Sequence, residues 1–128
     1  MNYLLDTHTF LWFIENNKNL PDSTRSLIQT TQDNVYVSIV TPWEIAIKTS
    51  IGKLALSKPI EALFPSEMTI NSFILLPISY SHSIELVNLP FHHNDPFDRM
   101  LIAQAMNESL SIISRDASFD DYGIHRIW

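Results

Sequence analysis

Short runs of consecutive apolar and β-branched residues, each followed by a longer amphipathic stretch, constrain this chain more than any other feature. Residues 3–5, 35–38, 73–76, 111–114 and 124–126 have the length and composition of strands. They read as continuous rather than alternating apolar runs, the pattern of strands buried on both faces in a parallel sheet. Between them the spacing predicts helices over residues 9–16, 21–31, 41–51, 59–69, 81–88 and 97–109. Phe97, Leu101 and Ala105 recur at four-residue steps, Pro21 suits a first helical turn, and Gly52 marks a stop. Strands alternating with helices imply βαβ units, hence an α/β fold with helices on both faces of the sheet.

Composition narrows the chemistry. The 128 residues are 45% hydrophobic, enough for one domain with a real core. Two glycines, Gly52 and Gly123, are too few for a glycine-rich phosphate cradle. The absence of cysteine excludes disulfides, thiolate zinc sites and a cysteine nucleophile. Neither a leader segment nor a membrane span is read from the sequence, so a soluble, cytoplasmic protein is expected. The net charge of −6 runs against general nucleic-acid binding. An acidic nuclease needs cations among its carboxylates and a local basic rim, or a basic partner over the acidic face.

The acids fall at informative places. Asp6 directly follows the first strand and Asp116 follows residues 111–114, so both stand at the carboxyl edge, where open parallel sheets bind ligands. Glu44 and Asp98 lie in first turns of helices that begin at that same edge. Each has a structural alternative. Thr41-Pro42-Trp43-Glu44 fits a capping box, Asp95 and Asp98 suit a helix dipole, and Asp116 with Asp120 and Asp121 suits a solvated turn. A carboxylate after a buried strand, as at Asp6, needs a partner. Four converging carboxylates persist as anions only around a cation, and an all-oxygen donor set suits Mg²⁺ or Mn²⁺. Such ions activate water for phosphodiester cleavage. His92 and His93 are read as loop residues, while His8 lies close enough to Asp6 to touch substrate.

Four blocks resemble a known family. They are Leu4-Leu5-Asp6-Thr7-His8, residues 38–48 around Thr41-Pro42-Trp43-Glu44, residues 95–105 beginning Asp95-Pro96-Phe97-Asp98-Arg99, and Ser114-Arg115-Asp116-Ala117-Ser118-Phe119. Together they resemble PIN domains, and most of all the VapC toxins of type II toxin–antitoxin systems, over nearly the whole chain. The resemblance implies a three-layer α/β/α sandwich around a parallel sheet, with residues 1–128 forming one PIN-like domain. It also implies Mg²⁺-dependent endoribonuclease activity, a homodimer and a cognate antitoxin that blocks the site. Asp6, Glu44 and Asp98 match the family's core acids and Asp116 its more variable fourth, as catalytic residues and metal ligands. Ser114 stands where many relatives have Thr, and Asp95 adds a further acid. Arg99, Arg115, Lys48 and Lys53 are the basic residues placed to meet RNA phosphates.

Two other classes share parts of this pattern. A phosphohydrolase or phosphoacceptor would use Asp6 as aspartyl nucleophile, but such enzymes usually carry a second Asp two residues on, where His8 stands. A non-catalytic binding module would keep the fold and use Trp12, Phe13 and Trp43 at a partner surface. Those aromatics are more simply read as core or dimer-interface residues, and retention of all four acids favours the enzyme.

Overall fold

The computed structural model describes residues 1–128. Five strands form one sheet: β1 (Tyr3–Leu5), β2 (Val35–Ser38), β3 (Ile74–Leu76), β4 (Ser111–Ile113) and β5 (Arg126–Ile127). Their order is β3-β2-β1-β4-β5 and every pair is parallel. Seven helices connect them: α1 (Thr7–Ile14), α2 (Asp22–Thr30), α3 (Val40–Ser50), α4 (Ile60–Leu63), α5 (Ser66–Ile70), α6 (Tyr80–Val87) and α7 (Pro96–Glu108). A short 3-10 turn, Ala117–Tyr122, precedes β5.

The period-2 geometry of a strand divides the core in two. Tyr3 and Leu5 of β1 point to one side with Val35, Val37 and Ile113, against Phe10, Phe13, Ile28, Leu63 and Met68. Leu4 points to the other with Ile112, against Leu101, Ile102, Ala105, Phe119 and Tyr122. Leu4 and Leu5 are both fully buried, as continuous apolar strands require. Helix α3 serves both layers, sending Ile45 to the first cluster and Val40 to the second. The result is the expected α/β/α sandwich.

Several boundaries differ from the sequence expectation by one or two residues, and two differences have clear reasons. The predicted helix 59–69 is two short helices, because Pro65 has no amide to donate and drives Phe64 into extended backbone (φ −126, ψ 124). Pro21 stands at the N-cap of α2 rather than inside its first turn. No helix is long and apolar enough to cross a membrane.

The strand order locates the working edge. From β1 the chain builds through β2 to β3 on one side, then returns to place β4 and β5 on the other. The connections therefore diverge between β1 and β4, leaving a crevice at their carboxyl ends.

Candidate active site

Asp6 stands at that crevice. It is the N-cap of α1, its Oδ1 accepting the Thr9 amide at 2.9 Å, while Ser114 Oγ, just past β4, donates to its Oδ2 at 2.6 Å. Thr9 Oγ1 also donates to the Ile113 carbonyl at 2.9 Å, so the start of α1 is tied to the end of the neighbouring strand. The Ser114 hydroxyl in turn accepts the Asp116 amide at 3.0 Å, which links the two acids on either side of the crevice. Asp6 is only 7% exposed, and that burial pushes its carboxyl above the ordinary range despite the hydrogen bonds from Ser114 and Thr9 and the proximity of His8.

Glu44 is not in a capping box. Helix α3 begins at Val40, one residue earlier than expected, and Ile39 caps it without a side-chain bond. The Val40 amide is satisfied by Ser38 Oγ at 3.0 Å instead. Glu44 is thus inside the helix and 3% exposed, its Oε1 accepting from Thr7 Oγ1 at 2.7 Å and its Oε2 bonded to the Lys48 ammonium. Thr7 Oγ1 also meets Thr41 Oγ1 at 3.2 Å. Burial works against the Lys48 charge, but Glu44, with Asp95 and Asp98 behind it, holds its pKa above the usual value. Expected as an RNA contact, Lys48 is turned toward the acids.

Asp95 caps α7, accepting the Asp98 amide at 3.0 Å, as the helix-dipole reading anticipated. Asp98 itself differs from its neighbours in that its carboxylate receives no protein hydrogen bond. Burial, and after it the charges of Asp95, Glu44, Asp6 and Asp116, push its pKa from 3.8 up to about 8. Those causes also describe the geometry: the other three acids expected from sequence, joined by Asp95, all lie near enough to act on Asp98. Asp116 caps the 3-10 turn, its Oδ1 accepting the Ser118 amide at 2.9 Å, and its side chain is exposed at the rim.

No group of three or more acidic or histidine side chains stands close enough to ligate one ion in this arrangement. The field and the donors nonetheless suit a hard cation. Carboxylates that destabilise each other's charge gain from a positive ion among them, and oxygen-only donors favour Mg²⁺ or Mn²⁺ over zinc.

Arg99, expected to meet an RNA phosphate, lies inside the protein instead. It is 5% exposed, and its guanidinium donates to the carbonyls of Pro90 (2.8 Å) and Leu89 (3.1 Å) and to Tyr122 Oη (3.3 Å). Its plane lies 3.9 Å from the Phe91 ring centroid. The loop before α7 has carbonyls without ladder partners, and the five-donor fork of Arg satisfies several at once. His92 and His93 belong to the same loop and pack on the Tyr122 ring, with His93 Nδ1 3.1 Å from the Tyr122 hydroxyl. Arg115 is exposed and remains free to meet a ligand. Sequence reasoning missed the role of the hydroxyls: Thr7, itself held by Thr41, orients Glu44, and Ser114 orients Asp6. Their only signal was adjacency in the chain to Asp6, Glu44 and Asp116.

The same fold occurs in solved complexes. VapBC from Salmonella typhimurium bound to DNA aligns with a TM-score of 0.71 at 19% identity, covering 99% of this chain and 97% of that one. VapBC2 from Rickettsia felis, bound to a promoter DNA fragment, aligns at 0.71 and 11% identity, covering 99% and 98%. FitAcB from Neisseria gonorrhoeae aligns at 0.69 and 20% identity, covering 98% and 96%. No curated protein sequence matches the chain. The PIN domain model matches residues 3–124, from the first residue of β1 to just short of β5, and on that match the chain belongs to the PIN domain family.

Proposed function

We propose that this PIN domain, residues 1–128 acting as one unit, is a divalent-cation-dependent endoribonuclease and the toxin of a type II toxin–antitoxin pair. The observation that carries the reading is the position of Asp6, Glu44, Asp98 and Asp116 at the carboxyl edge of the sheet, where burial and, after it, the neighbouring carboxylates push the Asp98 pKa up to about 8. Asp6, Glu44, Asp98 and Asp116 would hold the cation, Mg²⁺ with Mn²⁺ as substitute. When bound, it would supply an activated water and neutralise charge at the scissile phosphate. Thr7 and Lys48 fix the orientation of Glu44, and Ser114 fixes Asp6. Asp98, with no protein donor of its own, depends most on the cation to remain an anion.

The toxin assignment draws on the VapC-like motifs and on the fold shared with the VapBC and FitAcB complexes. A cognate antitoxin with a basic or amphipathic segment would cover the acidic edge, and the working form would be a cytoplasmic homodimer. Tyr80, Ile84 and Val87 recur along one face of α6 and are all exposed, a surface of the kind that partner chains cover.

The test is cleavage of total RNA by purified protein in Mg²⁺ and in EDTA. Cleavage should require the metal and disappear in Asp6→Asn and Asp98→Asn. Glu44→Gln should be nearly as inactive while keeping its stability, since no cap is lost. Metal-independent cleavage, or full activity in Asp98→Asn, would refute the assignment.

A further inference from the structure

A pocket of about 370 Å³ opens beside the acids, lined by Asp6, His8, Trp12, Arg115, Asp116 and Ala117. Two of these are the carboxylates already described, and the others are of a different kind. Trp12 is half-buried on α1. Its inner side packs against the core, and its indole meets Trp128 edge-on at 5.9 Å between centroids. Toward the pocket, His8 tilts against it at 5.7 Å and 48°, one helical turn earlier on the same face. The Arg115 guanidinium hangs 6.0 Å over the ring. His8 and Arg115 are both exposed, and neither side chain forms a hydrogen bond or an ion pair with the protein. Core packing accounts for the inner side of Trp12. It does not account for an exposed imidazole and an unpaired guanidinium gathered over the indole at the edge of an acidic site.

We propose that Trp12, His8 and Arg115 form a base-stacking subsite that seats one unpaired RNA nucleotide beside the phosphate held over Asp6 and Asp116. This rests on the ribonuclease reading and adds the residues that would seat a base next to the site. Base–aromatic stacking tolerates any base, because every base has a π-face. In a duplex those faces are covered by neighbouring pairs, so the subsite selects loops and unpaired segments. Arg115 stacks on the far side of the base or bonds the adjoining phosphate, and its planar fork serves either purpose. Trp12 is pre-ordered by Trp128 and the core, so little entropy is lost in presenting it. The subsite also answers the charge problem, because affinity drawn from stacking does not need a basic surface.

The experiment measures binding of a short single-stranded RNA carrying 2-aminopurine, in an Asp98→Asn background that prevents cleavage. Alongside it, kcat and KM are measured in Mg²⁺ with Asp98 intact. Trp12→Leu is expected to raise Kd and KM about tenfold and to abolish the 2-aminopurine quenching, with kcat little changed. Trp12→Phe should stay within about twofold, since Phe keeps a π-face. Because Trp12 also packs inward, the exposed His8→Ala and Arg115→Ala test the same subsite without touching the core, and each should weaken binding. A duplex of the same sequence should compete poorly. Unquenched 2-aminopurine, or wild-type Kd and KM in His8→Ala, Arg115→Ala and a folded Trp12→Leu, would overturn the subsite and leave the nuclease standing. A protein that cuts no RNA yet loses quenching in those variants would uphold the subsite and sink the nuclease.

Discussion

Asp98, half-buried, and Glu44, buried, show how differently two acids at one edge can be supported. Glu44 has a hydroxyl on one oxygen and an ammonium on the other. Asp98 has neither, and its pKa stands at about 8. The consequence for stability has the opposite sign to the usual carboxylate. A folded-state value above the unfolded 3.8 means the native protein binds more protons, so stability falls as pH rises from about 4 through about 8. The span caps the effect at about 6 kcal/mol, and the partial exposure of the side chain reduces it through solvent screening. Urea unfolding in EDTA at pH 5, 7 and 9 should show Asp98→Asn gaining on the wild type at each step upward. A pH-independent difference would mean the acids do not act on Asp98 as described. Asp6, Asp98 and Asp116 were legible because each follows a strand or opens a helix at one sheet edge, whereas Glu44 lies further into its helix than expected. Their hydrogen-bond partners were not, because Thr7 with Glu44 and Ser114 with Asp6 are pairings across the fold, 37 and 108 positions apart.

At the scale of elements, the capping-box rule failed at one helix and succeeded at another it was not applied to. Thr41 and Glu44 have the right letters, but α3 starts at Val40 and the pattern falls one residue inside the helix. Helix α6 has the reciprocal bonds between Ser79 and His82, with His in place of Glu or Gln, and the His82 Nε2 goes on to Glu108 at 2.8 Å. Local letters cannot choose between these outcomes, because tertiary contacts decide where a helix begins. Strands were easier to read, since continuous burial leaves a continuous apolar run, as in Leu4 and Ile112. The burial of Arg99 was not legible, because its partners are loop carbonyls up to ten residues away and nothing in a sequence marks a carbonyl as unpaired. Removing it should leave those carbonyls buried and unsatisfied. Arg99→Ala is expected to destabilise by about 2–4 kcal/mol, whereas exposed Arg115→Ala should stay within about 0.5 kcal/mol. Denaturant midpoints at pH 7 compare the two, and equal midpoints would contradict the structural role of Arg99.

For the whole molecule, the topology turns a scattered set of acids into one site. The divergence between β1 and β4 opens the crevice, α1 and α3 bring Asp6 and Glu44 to it, and α7 presents Asp98. With a net charge of −6, the proposed cation at this edge would lower repulsion in the folded state and make room for an anionic substrate. Folding and ion binding would then be coupled, and the coupling would be measurable without RNA. The most direct measurement is thermal unfolding of wild type and Asp98→Asn at pH 7.5 and fixed ionic strength, in EDTA and in millimolar Mg²⁺ or Mn²⁺. In EDTA the variant should equal or exceed the wild type, against the usual cost of about 0.5–3 kcal/mol for a partly buried substitution. The metal should then stabilise the wild type, by about 2.7 kcal/mol at a hundredfold excess over Kd, and that gain should shrink in Asp98→Asn. A wild type indifferent to both ions, or a variant several kcal/mol weaker in EDTA, would contradict a shared cation site.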